Sequence, residues 1–117
     1  MPAPAQGALA VQCRRDDDAV LAALARIDDA PSRAAVTAER DALARAEGGC
    51  DVAFGAYCVA NGSTHELRAM LERNGAVRVA TARGGDPSAL AAAAWAELVC
   101  VHAWREAGPQ TCLQNLQ

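Results

Sequence analysis

The sequence predicts an α+β domain built on a three-stranded antiparallel sheet, and three observations carry that prediction. Two turn signals, Asn61-Gly62-Ser63 and Asn74-Gly75, divide the middle of the chain into three short strand-like segments. Apolar residues at helical spacing flank this region, with Val20, Leu21, Leu24 and Ile27 before it and Leu90, Ala91, Ala94, Trp95, Leu98, Val101 and His102 on one side of the helix after it. The length of 117 residues suits one small domain with its own core.

Taken in order, residues 7–13, Gly-Ala-Leu-Ala-Val-Gln-Cys, read as a strand of small and branched apolar residues. Arg14 and Arg15 and the acidic triplet Asp16 to Asp18 follow. An aspartate there caps a helix of about 17–27, which Asp28-Asp29-Ala30-Pro31 breaks. A second helix is predicted over about 31–46, with Pro31 tolerated in its first turn. Its core side is read as Ala35, Val36, Leu43 and Ala46, and its polar side as Arg33, Glu39, Arg40 and Asp41. Gly48 and Gly49 are placed to end it in a left-handed C-cap. Residues 53–60 read as a strand. Residues 65–72 have some helical propensity, but their length and flanking turns favour a strand. Ala76 to Thr81 alternate as a third strand, and the economical arrangement is a meander. Asp86 as N-cap and Pro87 as first residue open a last helix expected to run to about 107. The closing residues 108–117 read as a weakly specified tail.

Composition narrows the function. The chain is 52% hydrophobic but only 3% aromatic, so alanine faces must let elements approach closely. All eleven basic residues are arginine, which excludes Schiff-base chemistry on a lysine of this chain. The net charge of -3, with arginines dispersed among acids, argues against nucleic acid as a partner. Met1-Pro2-Ala3-Pro4 is no basic leader and no stretch reaches the length of a membrane span, so a cytoplasmic chain without a membrane partner is expected. Five cysteines, at 13, 50, 58, 100 and 112, are odd in number and irregular in spacing, which fits reduced thiols better than a disulfide framework. No metal site is predicted: no cysteine pair has structural-zinc spacing, and His65 and His102 stand in no metal-binding motif. Cys13, Cys58 and Cys100 read as small core residues, and Trp95 and Trp104 as packing residues on one helix side. Arg40 reads as the partner of Glu39 on the helix surface or as an anchor for the loop that follows.

The run Ala46-Glu47-Gly48-Gly49-Cys50-Asp51-Val52-Ala53-Phe54-Gly55-Ala56-Tyr57 says most about function. Two glycines and then a thiol put Cys50 on a bend past a helix end, with little to crowd its approach. Such a cysteine is either a covalent attachment point or an ordinary thiol behind a helix C-cap. A thiol nucleophile is disfavoured because no histidine base stands at a suitable spacing.

Three blocks carry a family resemblance. Pro2 to Arg14 (Pro-Ala-Pro-Ala-Gln-Gly-Ala-Leu-Ala-Val-Gln-Cys-Arg), Ala35 to Arg40 (Ala-Val-Thr-Ala-Glu-Arg) and Glu47 to Tyr57 occur in the order and at the spacing found in porphobilinogen deaminase, also called hydroxymethylbilane synthase. The likeness runs from about residue 2 to 107. It implies that residues 1–14 correspond to the lead-in from the family's first domain, and 15–107 to its third domain, an open-faced α/β unit with helices on one side of a three-stranded sheet. It also implies that Cys50 carries a dipyrromethane primer through a thioether, that Gly48 and Gly49 let the pyrrole rings approach, and that Gln6 and Gly7 reach the cleft. The family condenses four porphobilinogen molecules and releases ammonia at each step; a tethered primer makes successive condensations effectively intramolecular. This chain differs from the family at Ala5 (usually glycine), Asp51 (usually glutamine) and Ala53-Phe54 (usually Pro-Ile). Asp51 puts negative charge beside a group that itself carries carboxylates. No residue matches the catalytic aspartate or most of the substrate-binding arginines, so the expectation is a cofactor-anchoring domain not competent alone. The chain is then either a cut-out fragment of such an enzyme or one chain of a split enzyme whose partner is the missing first two domains on a separate chain. The alternative is a non-enzymatic domain reused for protein interaction or self-association.

Overall fold

The computed structural model describes residues 1–46 and 53–100. Three helices, α1 (Asp18–Leu24), α2 (Ala30–Arg45) and α3 (Pro87–Val99), accompany three strands, β1 (Phe54–Asn61), β2 (Thr64–Arg73) and β3 (Ala76–Gly84). The predicted α+β class is the observed one, and residues 65–72 lie in a strand.

Strand order is β1-β2-β3 with both pairs antiparallel. The register sets Phe54 against Leu71 and Leu71 against Arg78 at one end of the sheet, and Ala60 against His65 and His65 against Gly84 at the other. Both hairpins are as tight as the turn signals require. Gly62 has φ 63, and Asn74 and Gly75 have φ 55 and 79, the positive pair a two-residue hairpin turn needs.

Each helix begins on an aspartate. Asp17, Asp29 and Asp86 accept from the backbone N–H groups of Val20, Ser32 and Ser88 at 3.1, 2.9 and 3.1 Å. The bonds from Ser32 hold the Asp29 carboxyl below its ordinary range. Pro31 and Pro87 fall in first turns, as expected.

α2 packs over β1, and α3 over β2, β3 and α2. The core between helices and sheet joins Ala38 and Ala42 of α2, Phe54, Ala56 and Cys58 of β1, Leu67, Ala69 and Leu71 of β2, Ala80 and Ala82 of β3, and Leu90, Ala91, Ala94 and Leu98 of α3. Alanine occupies eight of these fourteen positions, so the layers sit close and Leu67, Leu71 and Leu98 are the largest side chains fully enclosed. Trp95 packs at the border of this core. The other sheet face carries no helix among the described residues. It shows Tyr57, Val59, Val77 and Val79 to solvent, with Glu66 accepting from Arg68 at 2.7 Å and Arg83 at 2.6 Å.

Three expectations are corrected. Residues 7–13 form no strand; Leu9 is 98% exposed and Val11 63%. A strand exists only as part of a ladder, and among the described residues no strand pairs with this segment. α1 stops at Leu24 rather than about residue 27, and it buries no residue. Val20, Leu21 and Ile27 face solvent, so no packed face holds a further turn together. α3 ends at Val99, because Cys100 adopts ψ 114 and leaves the helix. Arg78 Nη1 donates to the carbonyls of Leu98 at 2.8 Å and Cys100 at 3.2 Å, satisfying acceptors that a continuing helix would have used. Val101, His102 and Trp104 lie outside the described residues.

Candidate functional site

α2 and β1 bracket the segment on which Cys50 stands. α2 closes at Arg45 with Ala46 in a right-handed C-cap, φ -67 and ψ -8, whose N–H reaches back to Ala42 and Leu43. The helix therefore ends before the two glycines. Gly48, Gly49, Cys50 and Asp51 lie outside the described residues, and so does any left-handed cap there. On the far side, the Ala53 carbonyl accepts from Glu72 N–H at 2.9 Å, which ties the entry of β1 to β2. The segment is thus held at both ends by elements of one core. Arg45, in the last turn of α2, and Arg73, at the end of β2, put positive charge at this end of the fold.

The opening residues lie against the same region. Pro2 C=O accepts from Ala56 N–H at 3.1 Å, on the β1 edge that faces away from β2. A Cβ on Gly55 would stand 2.7 Å from Met1 Cγ and 3.0 Å from Pro2 O, so the close approach needs glycine there. Next comes a turn closed by Gln6 N–H to Ala3 C=O at 3.2 Å and Ala8 N–H to Ala5 C=O at 3.1 Å. Ala5 adopts φ 58 in it, a left-handed conformation that explains why glycine suits this position. Gln6 and Gly7 sit on the exposed part of that turn.

Glu39 holds this arrangement together. Its Oε2 accepts from Ala5 N–H at 2.6 Å and its Oε1 from Cys58 N–H at 2.8 Å, in a site only 7% exposed. One carboxylate on α2 therefore joins the opening segment to the edge of β1. The expected surface pair with Arg40 is corrected: Glu39 is buried and Arg40 is exposed. Reading α2 from Ala35 at i+3, i+4, i+7 and i+8 gives Ala38, Glu39, Ala42 and Leu43, so Glu39 sits inside the apolar stripe. That interruption was the available signal.

The thiols separate by environment. Cys58 is buried, and burial first and the Glu39 charge second push its thiol up to about 11, which makes it unreactive at neutral pH. Cys13 is half-buried and Cys100 exposed; the core role expected for Cys100 is corrected because the chain leaves α3 there. Cys112, like Cys50, lies outside the described residues. Arg14 and Arg15 are exposed. His65 is half-buried, and both its ring nitrogens are enclosed and unpartnered among the described residues. No group of three or more metal-ligating side chains occurs among the described residues. No described helix is long and apolar enough to cross a membrane.

Over 67 residues, 57% of this chain, it is 51% identical to the porphobilinogen deaminase of Brevibacillus brevis. Over 56 residues, 48% of the chain, it is 61% identical to the porphobilinogen deaminases of Nocardia farcinica and Mycobacterium tuberculosis. The chain resembles porphobilinogen deaminase. The match spans 21%, 16% and 18% of these three porphobilinogen deaminases, about a fifth of their length. No family model matches the chain.

Proposed function

We propose that this chain is the cofactor-anchoring domain of a porphobilinogen deaminase-like transferase of tetrapyrrole biosynthesis, with Cys50 bearing a dipyrromethane primer through a thioether. The observation that carries the reading is the 51–61% identity to porphobilinogen deaminases in a chain that also contains the Gly48-Gly49-Cys50 run. A carbon–sulfur bond outlasts repeated proton transfers, and a primer fixed to the protein converts each condensation into a step between held partners.

The described residues suit such a group. α2 and β1 provide a frame for the Cys50 segment, with Arg45 in the last turn of α2. Glu39 and the Pro2–Ala56 bond keep the Gln6-Gly7 turn docked beside the frame. The role of the Cys50 sulfur is attachment; the primer supplies the nucleophilic pyrrole carbon to which substrate is added. Proton handling at the substrate amine and pyrrole nitrogens falls to groups of the family that no residue of this chain matches. The reading places the protein in the cytoplasm, where porphobilinogen would be met by reduced thiols.

Intact mass spectrometry tests it. Chain produced in a host supplied with porphobilinogen, together with the complementary domains, should gain the mass of two linked pyrrole units. Peptide mapping should put that mass on Cys50, and Cys50→Ala should remain unmodified. An unmodified Cys50 under these conditions removes the proposal.

A further inference from the structure

The helix-free face of the sheet holds a shallow cavity of about 270 Å³ lined by Tyr57, Val59, Asn61, Glu66 and Arg68. Strand alternation gathers these side chains on one face. Residues 57, 59 and 61 of β1 lie opposite in sense to the buried Ala56 and Cys58, and 66 and 68 of β2 opposite to the buried Leu67 and Ala69. The register sets Tyr57 against Arg68 and Val59 against Glu66. Tyr57 and Val59 supply apolar surface, 50% and 40% exposed. Glu66, whose side chain is 13% exposed, is already engaged: Oε1 accepts from Arg68 Nε and Nη2, each at 2.7 Å, and Oε2 from Arg83 Nε at 2.6 Å. Those bonds, Arg83's first and Arg68's second, hold the carboxyl below its ordinary range, so it stays ionised and aligns both guanidinium groups. Arg68 leans two residues back to reach Glu66, which draws its guanidinium from Tyr57 toward Val59. Arg68 Nη1, the Tyr57 hydroxyl and the Asn61 side-chain amide make no hydrogen bond among the described residues.

We propose that this cavity binds a small aromatic carboxylate, with its ring against Val59 and Tyr57 and its acid on the Arg68 guanidinium. The Tyr57 hydroxyl and the Asn61 amide stand on either side of Val59 as further donors. Arg68 is suited to the acid because Glu66 fixes its planar fork in advance, so little freedom is lost when a second carboxylate arrives. Glu66 also sets the charge that is accepted. Two guanidinium groups against one carboxylate leave a single net positive charge, enough to balance a monoanion. A phosphate dianion or a nucleic-acid strand brings more negative charge against the fixed Glu66 carboxylate, which repels it. Size limits the occupant as well. The volume falls just below the roughly 300–1,000 Å³ of drug-sized sites, so one ring with its acid is what fits. This inference does not depend on the cofactor reading, because α2 and α3 pack on the other side of the sheet.

Nitrogen-15 NMR titration of the full chain with 3-phenylpropionate tests it. The amides of Tyr57, Val59, Asn61, Glu66 and Arg68 should shift together and saturate, with a dissociation constant of about 1 mM or tighter. Amides on the helical side, such as those of Ala38 and Leu90, should stay in place. The neutral amide 3-phenylpropanamide, alike in shape, should bind at least about tenfold more weakly. Inorganic phosphate at equal concentration should not displace the acid. Arg68→Gln should weaken binding about tenfold while the rest of the spectrum is kept, since this side chain is 59% exposed. Asn61→Asp, at the exposed end of β1, should also weaken it by placing like charge beside the acid. Shifts that do not saturate by about 20 mM overturn the proposal, as does equal affinity for the neutral amide. Undiminished binding by a folded Arg68→Gln chain overturns it too. Displacement by phosphate would show that Glu66 sets no preference for a monoanion, and would overturn the assignment of a carboxylate.

Discussion

Replacing Glu39 by alanine removes both acceptors from the carboxylate site, which is 7% exposed and serves Ala5 N–H at 2.6 Å and Cys58 N–H at 2.8 Å. A buried donor left unsatisfied costs about 1–3 kcal/mol. The Cys58 donor is buried and suffers fully, while the Ala5 donor is partly reached by water. Relief from holding a carboxylate out of water offsets some of this. The net loss expected is about 2–3 kcal/mol, a large share of the roughly 5–15 kcal/mol that stabilises a small domain. In urea this should lower the unfolding midpoint by roughly 1–2 M. Glu39→Gln should recover less than half, since one carbonyl oxygen serves one donor and the amide NH2 then opposes the other. Hydrogen exchange adds a local readout: amides of Ala5, Ala56 and Cys58 should all exchange faster, because release of the opening segment also breaks the bond from Ala56 to Pro2. A midpoint within about 0.3 M of the parent, with those amides still protected, would refute the reasoning.

Other outcomes follow from the same structure. The Cys58 thiol, ordinarily near 9, is raised to about 11 by burial and then by Glu39. Its proton is therefore held more tightly in the folded chain, so its stabilising contribution is complete below about pH 9 and disappears as pH rises through about 11. Cys58→Ala should flatten that alkaline loss in urea titrations at pH 8 to 11, and an unchanged profile would exclude Cys58 as its source. Ala5→Gly should raise stability by about 0.5–1 kcal/mol, because glycine adopts φ 58 without the Cβ penalty and the gain outweighs its extra unfolded freedom. His65→Leu should be neutral or stabilising by about 1 kcal/mol, since it replaces two enclosed, unpartnered nitrogens with apolar surface. A loss above about 1 kcal/mol in the same urea assay would show that the imidazole has a hydrogen-bond partner.

Much of this protein was determined by the sequence alone. Gly62 in the first hairpin, and Asn74 with Gly75 in the second, set the turns because the backbone must pass through positive φ there, and glycine and asparagine do so at least strain. Asp86 before Pro87 marked a helix start because local hydrogen bonding and a fixed φ decide it within a few residues. The blocks around Gly48-Gly49-Cys50 pointed to porphobilinogen deaminase, a likeness the 51–61% identities bear out. Long-range contacts decided the rest. Residues 7–13 had strand-like composition, but a strand depends on a partner that composition cannot supply. α1 had helical periodicity, yet its apolar residues found no surface to cover. Glu39 looked like a surface charge until tertiary packing brought Ala5, distant in sequence, and Cys58 to its two oxygens. The division follows from range: turns and caps are settled by bonds among near neighbours, whereas the fate of a buried carboxylate or an unpaired strand edge depends on which distant segment arrives beside it.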